Sequence, residues 1–337
     1  MATIKQVAKM AQVSVGTVSN VINGLPVNEN MRQRVNMAIE KLQYKPNLAA
    51  RMLKTNRSYS ISLILPDITN PFYPELARGV GDIVKERDFS LVLCNSERSK
   101  DEEMQYIDLM IQQKMDGVII VKPHINRDEI VKMQKSCAVV VVDAEEDRME
   151  GVNLVNSDDY NGQMEAIKHL YHLGHRDMGF IAGQLQAKSD LDRLRAFKDA
   201  HTVMDMDLQE RNIVCGVYSH EYGYEGALQL LKRRDKPTAI LCSNDLLAFG
   251  ALRAAHDIGL HVPGDVSIMG YDDIAAAKVC TPQLSTVNRP KYEIGRQSAL
   301  MLFEAIDRKD EELNAKHLLL PAHLVIRSST QYINNKH

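Results

Sequence analysis

Seven short apolar runs, mostly of β-branched residues, recur after Ser60, with stretches of helical character between them: Ile61 to Leu65, Leu91 to Cys94, Val118 to Val121, Val139 to Val142, Met178 to Ala182, Ala239 to Cys242 and Val266 to Met269. Continuous apolar runs of this length suit strands covered on both faces. Alternation with helices forces crossover connections, so the expected sheets are parallel, with helices on either side. The series breaks near Asp158 to Gly162, which predicts two doubly wound α/β lobes. In such sheets ligands lie beyond the carboxyl ends of the strands, so a cleft between the lobes is the expected binding site.

The first 58 residues follow a different pattern. They hold nine Lys/Arg against Glu29 and Glu40, a formal charge of +7, whereas the remainder carries −10; the total of −3 hides a basic head on an acidic body. A charge of that density on a small domain attracts phosphate and is the electrostatic footprint of a nucleic-acid binder. The 337 residues suffice for two or three domains with a buried core. No apolar stretch fits a signal peptide or reaches the roughly 18 residues that span a bilayer, so a cytoplasmic protein without membrane contact is expected. Cys94, Cys137, Cys215, Cys242 and Cys280 are scattered and lack CxxC spacing, which predicts reduced core residues rather than disulfides or a zinc site.

Within the head, Thr3 and Gln6 form a capping box that starts a first helix burying Ile4, Val7, Ala8 and Ala11. A short turn through Gln12 and Val13 leads to Ser14, the expected N-cap of a second helix. This helix has one face for the core (Val18, Val21, Ile22) and another, of Val15, Gly16, Thr17 and Asn20, small enough to enter a major groove. A third helix, 30–43, closes the core with Val35, Ala38, Ile39 and Leu42. Pro46 then opens a short helix of Ala, Leu and Met through Leu53, too short to be stable alone and expected to fold against a partner chain and DNA.

This head and hinge, from Thr3-Ile4-Lys5-Gln6-Val7-Ala8 through Tyr44-Lys45-Pro46-Asn47-Leu48-Ala49-Ala50-Arg51-Met52-Leu53, resemble those of the lac repressor/galactose repressor family, and the similarity runs along essentially the whole chain. The resemblance implies a DNA-binding transcription regulator, acting as a repressor of carbohydrate-metabolism genes. It implies a homodimer whose paired hinge helices enter the minor groove, with Leu53 as the wedge at a central base step and Ala50 beside it. The candidate DNA contacts are Thr3, Lys5, Ser14, Val15, Gly16, Thr17, Ser19, Asn20 and Asn23 in the head, and Asn47, Ala50, Leu53 and Lys54 in the hinge. Asn20 stands where family members often have Arg, so the operator sequence does not carry over. The implied architecture is a helix-turn-helix head (1–45), a hinge (46–58), and a two-lobed core of the type I periplasmic-binding-protein fold. Its first lobe is 59–158 with 289–321, its second 159–288 with 322–332, and 333–337 is a polar tail.

The residues at the strand ends suit a polyhydroxylated small molecule, because carboxylate, amide and guanidinium groups each take vicinal hydroxyls and an aromatic ring covers an apolar sugar face. They are Asp67, Asn70, Phe72 and Tyr73 after the first run, Asp143 after the fourth, and then Arg193, Tyr218, Asn244 and Asp272, with Asp245 expected to cap a helix. Against ribose-binding members, Ala144 replaces an arginine and Arg289 replaces a neutral amide. Arg289 therefore leaves two alternatives: an anionic effector such as a sugar acid or sugar phosphate, or a neutral sugar with Arg289 paired to Asp67 or another cleft carboxylate. Such a set binds and does not catalyse.

Other signals carry less. Gly174 ends the helix before His175 and so separates it from His169 and His172, which argues against a metal site; Gly79-Val80-Gly81 lacks the rest of a dinucleotide fingerprint. No cofactor is expected. The rival readings are a catabolite-control-type regulator whose input is a phosphorylated carrier protein docked on the first lobe near Arg78 and Asp82 to Lys85, and a transport solute receptor, which the head and the absent signal peptide oppose.

Overall fold

The computed structural model describes residues 2–22, 24–44, 57–308 and 315–333. Asn23 and the hinge candidates Asn47, Ala50, Leu53 and Lys54 lie outside the described residues. The chain divides into two compact units, Met1–Ser58 and Tyr59–His337.

The first unit holds three helices: α1 (Ile4–Ala11), α2 (Val15–Ile22) and α3 (Glu29–Lys41). The Thr3 backbone N–H donates to the Gln6 side chain at 2.8 Å, and the Gln6 N–H donates back to the Thr3 hydroxyl, closing the capping box. Gln12 turns the chain with φ 52°, and the Thr17 N–H donates to the Ser14 hydroxyl at 3.0 Å to start α2. Val7, Ala8, Ala11, Val18, Val21, Val35 and Ala38 form the core, with Ile4, Ile22, Ile39 and Leu42 packed partly buried around it. The third helix starts one residue earlier than expected, because the Asn28 side chain caps it. It ends two residues sooner, since Gln43 adopts φ 46° and the Tyr44 N–H closes onto the Ile39 carbonyl.

In the second unit the chain alternates strand and helix. It runs β1 (Ser60–Leu65), α4 (Phe72–Glu86), β2 (Ser90–Asn95), α5 (Lys100–Gln112), β3 (Gly117–Val121), α6 (Arg127–Gln134), β4 (Ala138–Val142) and β5 (Asn153–Ser157). There follow α7 (Asp159–His172), β6 (Met178–Ala182), α8 (Lys188–Val203), β7 (Ile213–Cys215), α9 (His220–Leu231), β8 (Ala239–Cys242), α10 (Asp245–Asp257) and β9 (Ser267–Met269). The chain finishes through β10 (Thr286–Asn288), α11 (Lys291–Asp307), β11 (His317–Leu320) and β12 (His323–Val325). One parallel sheet has the order β11-β5-β4-β3-β1-β2, a second β7-β6-β8-β9, and β10 pairs antiparallel with β12.

Alternation along the strands decides which helices each face receives. In the first sheet Ile61, Leu63, Ile119, Val121 and Val140 pack with Leu76 and Val80 of α4 and with Ile294 and Phe303 of α11. Ile64, Val118, Ile120, Val139 and Val141 turn to the other face, against Ile107 and Met110 of α5 and Ile130 and Met133 of α6. The second sheet repeats the scheme: Phe180 and Leu241 meet α7 and α8, while Ile181 and Ile240 meet α9 and α10. Each such side chain, fully buried, contributes about 1.5–3 kcal/mol.

The glycine pattern set aside in the sequence has a packing role. A Cβ on Gly79 of α4 would stand 2.1 Å from the Tyr292 carbonyl oxygen of α11, whereas one on Gly81 would meet only the tip of Leu91 at 3.8 Å. Gly79→Ala should therefore lose about 1–3 kcal/mol in urea unfolding. Gly81→Ala should gain about 0.5–1 kcal/mol from the lower entropy of the unfolded chain; equal effects at the two positions would contradict this helix crossing.

Candidate effector cleft and DNA-binding head

Between the two sheets, beyond the carboxyl ends of their strands, lies a cavity of about 350 Å³. Of the ten predicted effector residues, nine line it: Asn70, Phe72, Tyr73, Asp143, Arg193, Tyr218, Asn244, Asp272 and Arg289. Asp67 does not. Its carboxylate accepts from the Thr69 N–H at 2.9 Å and hydroxyl at 2.6 Å and faces Arg98 at 3.7 Å, so it shapes the turn after β1 while Pro66 reaches the cavity wall.

Arg289 lies just past β10 and is almost fully buried. Its Nε stands 2.9 Å from the Ser157 hydroxyl and 3.2 Å from Asp159 Oδ1; its two Nη atoms lie 3.5 Å from Asp143 and 3.8 Å from Asp272. The guanidinium also covers the Phe72 ring at 4.5 Å, so one face of the expected sugar-stacking ring is already occupied. Arg193, from α8, donates to Asp159 at 3.1 Å and to the Ser243 carbonyl, and lies over Tyr271 at 4.3 Å.

Among the charged groups that sequence reasoning missed, Lys122 and Asp190 line the cavity, and Asp159 pairs with both arginines without lining it. Lys122, directly after β3, stands 3.0 Å from Asp190 in the first turn of α8 and 3.4 Å from Asp143. Asp159, at the start of α7, joins the two arginines. Lys122 could have been found by the strand-end rule that identified Asp143; Asp190 and Asp159 sit in helical first turns, where an acidic residue ordinarily signals only helix polarity.

Contacts cross directly between the lobes. Besides Lys122 and Asp190, the Ser189 N–H and hydroxyl donate to Asp143 at 2.8 and 2.6 Å, Arg98 donates to the Gln184 side chain at 3.2 Å, and His124 Nε2 lies 3.4 Å from Gln186 Oε1. Burial would raise the Asp143 carboxyl, but Lys122, Arg289 and the two bonds from Ser189 hold it well below the usual range. Asp190 is lowered in the same way, with Lys122 overcoming burial. Asp272 goes the other way, raised by burial in spite of Arg193 and Arg289. Its Oδ1 is buried and accepts no hydrogen bond among the described residues; the 3.8 Å to Arg289 is too long for one.

Several of these groups sit on backbone that turns left-handed at or beyond a strand end: φ is 60° at Arg98, 52° at Lys122, 63° at Asp143 and 106° at Asp272. Asn244, rather than Asp245, caps α10, accepting from the Leu247 N–H at 2.9 Å. Asp245 points inward to the Thr286 hydroxyl (2.6 Å) and the Ile274 N–H (2.8 Å), because it lies on the buried side of the turn.

On the head, Lys5, Ser14, Val15, Gly16 and Asn20 are exposed, Thr17 and Ser19 half-buried, and Thr3 and Ser14 double as helix caps. His175 contacts Thr238 and the Gln331 carbonyl, at 2.9 and 3.1 Å, as a packing residue. No cluster of three metal-ligating side chains occurs among the described residues, and none of their helices is long and apolar enough to cross a membrane.

Residues 3–47 match the model of bacterial regulatory proteins, lacI family, and residues 167–330 that of a periplasmic binding protein-like domain. Catabolite control protein A of Priestia megaterium is 32% identical over 331 residues, covering 98% of this chain and 99% of the relative. The lac repressor dimer bound to operator and the anti-inducer ONPF is similar with a TM-score of 0.86 and 25% identity, covering 98% and 99% of the two chains. A lacI-family regulator from Enterococcus faecium with bound ribose is similar with a TM-score of 0.73 and 29% identity over 82% of this chain and all of that one.

Burial, followed by repulsion from Asp272, pushes the Asp245 carboxyl up to about 8. The unfolded value is about 4, so the folded state holds the proton more tightly. The stability this contributes is present at acid pH and is lost as pH rises from about 4 through 8. Asp245→Asn should flatten that part of the stability profile in urea titrations at several pH values; an unchanged slope would show that Asp245 is ionised throughout.

Proposed function

The chain belongs to the lacI family of bacterial regulatory proteins, DNA-binding transcriptional repressors rather than enzymes, and from that premise we propose that its cleft takes an uncharged, polyhydroxylated effector such as a sugar. The observation that carries this reading is the charge pairing of the cavity wall. Among the described residues, each basic side chain that lines the cavity has a carboxylate within 4 Å: Arg98 has Asp67, Lys122 has Asp190, His124 has Glu103, Arg148 has Glu145, Lys188 has Asp192, Arg193 has Asp159, and Arg289 has Asp143. A sugar acid or sugar phosphate drawn to Lys122, Arg193 or Arg289 would have to break one of these pairs and leave a buried carboxylate short of its counter-charge. The unmet acceptor on Asp272 instead asks for a donor, which a sugar hydroxyl supplies. Of the two alternatives that Arg289 leaves open, pairing with cleft carboxylates is therefore preferred, although the partners are Asp143, Asp159 and Asp272 and not Asp67.

We further propose a cytoplasmic homodimer whose candidate head and hinge residues contact the operator, with lobe boundaries at the crossovers near 158, 289 and 321. An effector that touches both lobes shifts operator affinity only by its difference in affinity between open and closed forms. The docking of a phosphorylated carrier protein on α4 has less to support it. Ile83 and Val84 are buried and Asp82 already accepts from the Tyr292 hydroxyl at 2.9 Å, which leaves Arg78 and Lys85 as the exposed cations.

A melting screen that begins with ribose and other neutral sugars, alongside sugar acids and sugar phosphates, should find its stabilising compound among the neutral ones. At about 100 times its dissociation constant the gain should be roughly 2.7 kcal/mol. Asp272→Ala should abolish both that gain and the compound's effect on operator binding, while unliganded operator binding stays near wild type; a full response in the variant would overturn the cleft reading. The resemblance of the hinge supports a second expectation. Leu53→Ala should keep the fold but weaken operator binding by on the order of ten-fold and reduce the bend, since wedging a base step is a matter of a few kcal/mol. Gel-shift and end-to-end distance measurements on labelled operator check this, and unchanged affinity and bend would remove Leu53 from the wedge role.

A further inference from the structure

We propose that Asp190 is a specificity-determining residue that keeps the cleft closed to anions by neutralising Lys122. The inference deepens the reading of the cavity as the effector site and rests on it. Lys122 reaches the cavity from the first lobe and Asp190 from the second, with 3.0 Å between Nζ and Oδ1. The same Asp190 oxygen accepts from the Tyr218 hydroxyl at 2.7 Å, and its other oxygen accepts from the Ala187 N–H at 3.2 Å. All four residues line the cavity.

Lys122 has little other compensation. Asp143 stands 3.4 Å away, but that carboxylate is shared with Arg289 and with both donors of Ser189. Lys122 also lies 5.7 Å from the Tyr218 ring, and the Arg98 guanidinium lies 5.5 Å from the same ring, so two cations flank one aromatic side chain at the cavity wall. Asp190 is the negative charge that separates this arrangement from an anion site. Its carboxylate acts twice against an incoming phosphate or carboxylate, by occupying Lys122 and by direct repulsion in a setting of low dielectric. An asparagine there keeps one acceptor oxygen for the Ala187 N–H and turns its amide NH2 towards the Tyr218 hydroxyl oxygen, which can accept, and it leaves Lys122 with a net positive charge to offer.

The test uses the full chain and inorganic phosphate, read by thermal melting and by calorimetric titration against chloride at matched ionic strength. Wild type should respond to phosphate no more than to chloride. Asp190→Asn should bind phosphate tighter than wild type by on the order of ten-fold or more. The double variant Lys122→Met with Asp190→Asn should lose that gain. The basic head is identical in all three, so its own attraction for phosphate cancels. No gain in Asp190→Asn, an equal gain in the double variant, or a wild type that already responds would each overturn the proposal. Asp190→Ser, which also retains a capping oxygen, is carried in parallel; failure of both single variants to fold would assign Asp190 to the scaffold and overturn it as well. The neutral-sugar test reads Asp272 and this one reads Lys122, so either can fail while the other stands.

Discussion

A guanidinium removed from water must be surrounded by negative charge, and the body of this protein is arranged around one that is. Arg289 draws together a carboxylate from the end of β4, one from the start of α7 and one just beyond β9, with the Ser157 hydroxyl as a fourth partner. These groups come from both lobes and from two of the segments that join them. Removing Arg289 would strip a buried counter-charge from its carboxylates, a loss of about 3–5 kcal/mol where such pairs have been broken elsewhere, whereas loss of Asp272, the most distant of the three at 3.8 Å, leaves the guanidinium compensated by the other two. The cluster thus fixes the geometry of the crossovers and, with it, the cavity that the strand ends enclose.

Much of this was legible in the sequence, and the reasons are specific. Runs such as Val139 to Val142 are apolar without interruption because both faces of a central parallel strand are covered, so β1, β3, β4, β6 and β8 announce themselves. β5 escaped notice because only Leu154 and Val155 of its five residues are apolar, and β10 and β12 because they are three residues each. β7 escaped too: it is a three-residue edge strand with one buried position. Their pairing is set by tertiary register and not by local pattern.

The site divides along a similar line. Residues immediately after a legible strand could be placed, and Asp143, Asp272 and the Asn70 to Tyr73 turn all reach the cavity. Asp67, next to them, turns inward on its own loop, a matter of one hydroxyl at Thr69 that no periodicity reveals. Ion-pair partners are the least legible of all. Lys122 and Asp190 are separated by 68 residues in sequence and 3.0 Å in space, and only the closure of one lobe on the other makes them neighbours. The head needed no such long-range information, because its caps, its turn and its apolar stripes all lie within about forty residues and agree with one another.

The left-handed backbone at Arg98, Lys122, Asp143 and Asp272 carries an evolutionary consequence. Glycine would adopt each of those dihedral angles without strain, whereas a side chain held there is disfavoured by about 1 kcal/mol or more. Drift towards a sturdier fold therefore runs downhill towards glycine at the very positions that furnish the cleft with its chemistry. Four charged residues thus stand there at a cost to stability, and relatives released from sensing a small molecule should be recognisable by glycines appearing at these strand ends before any change reaches the core.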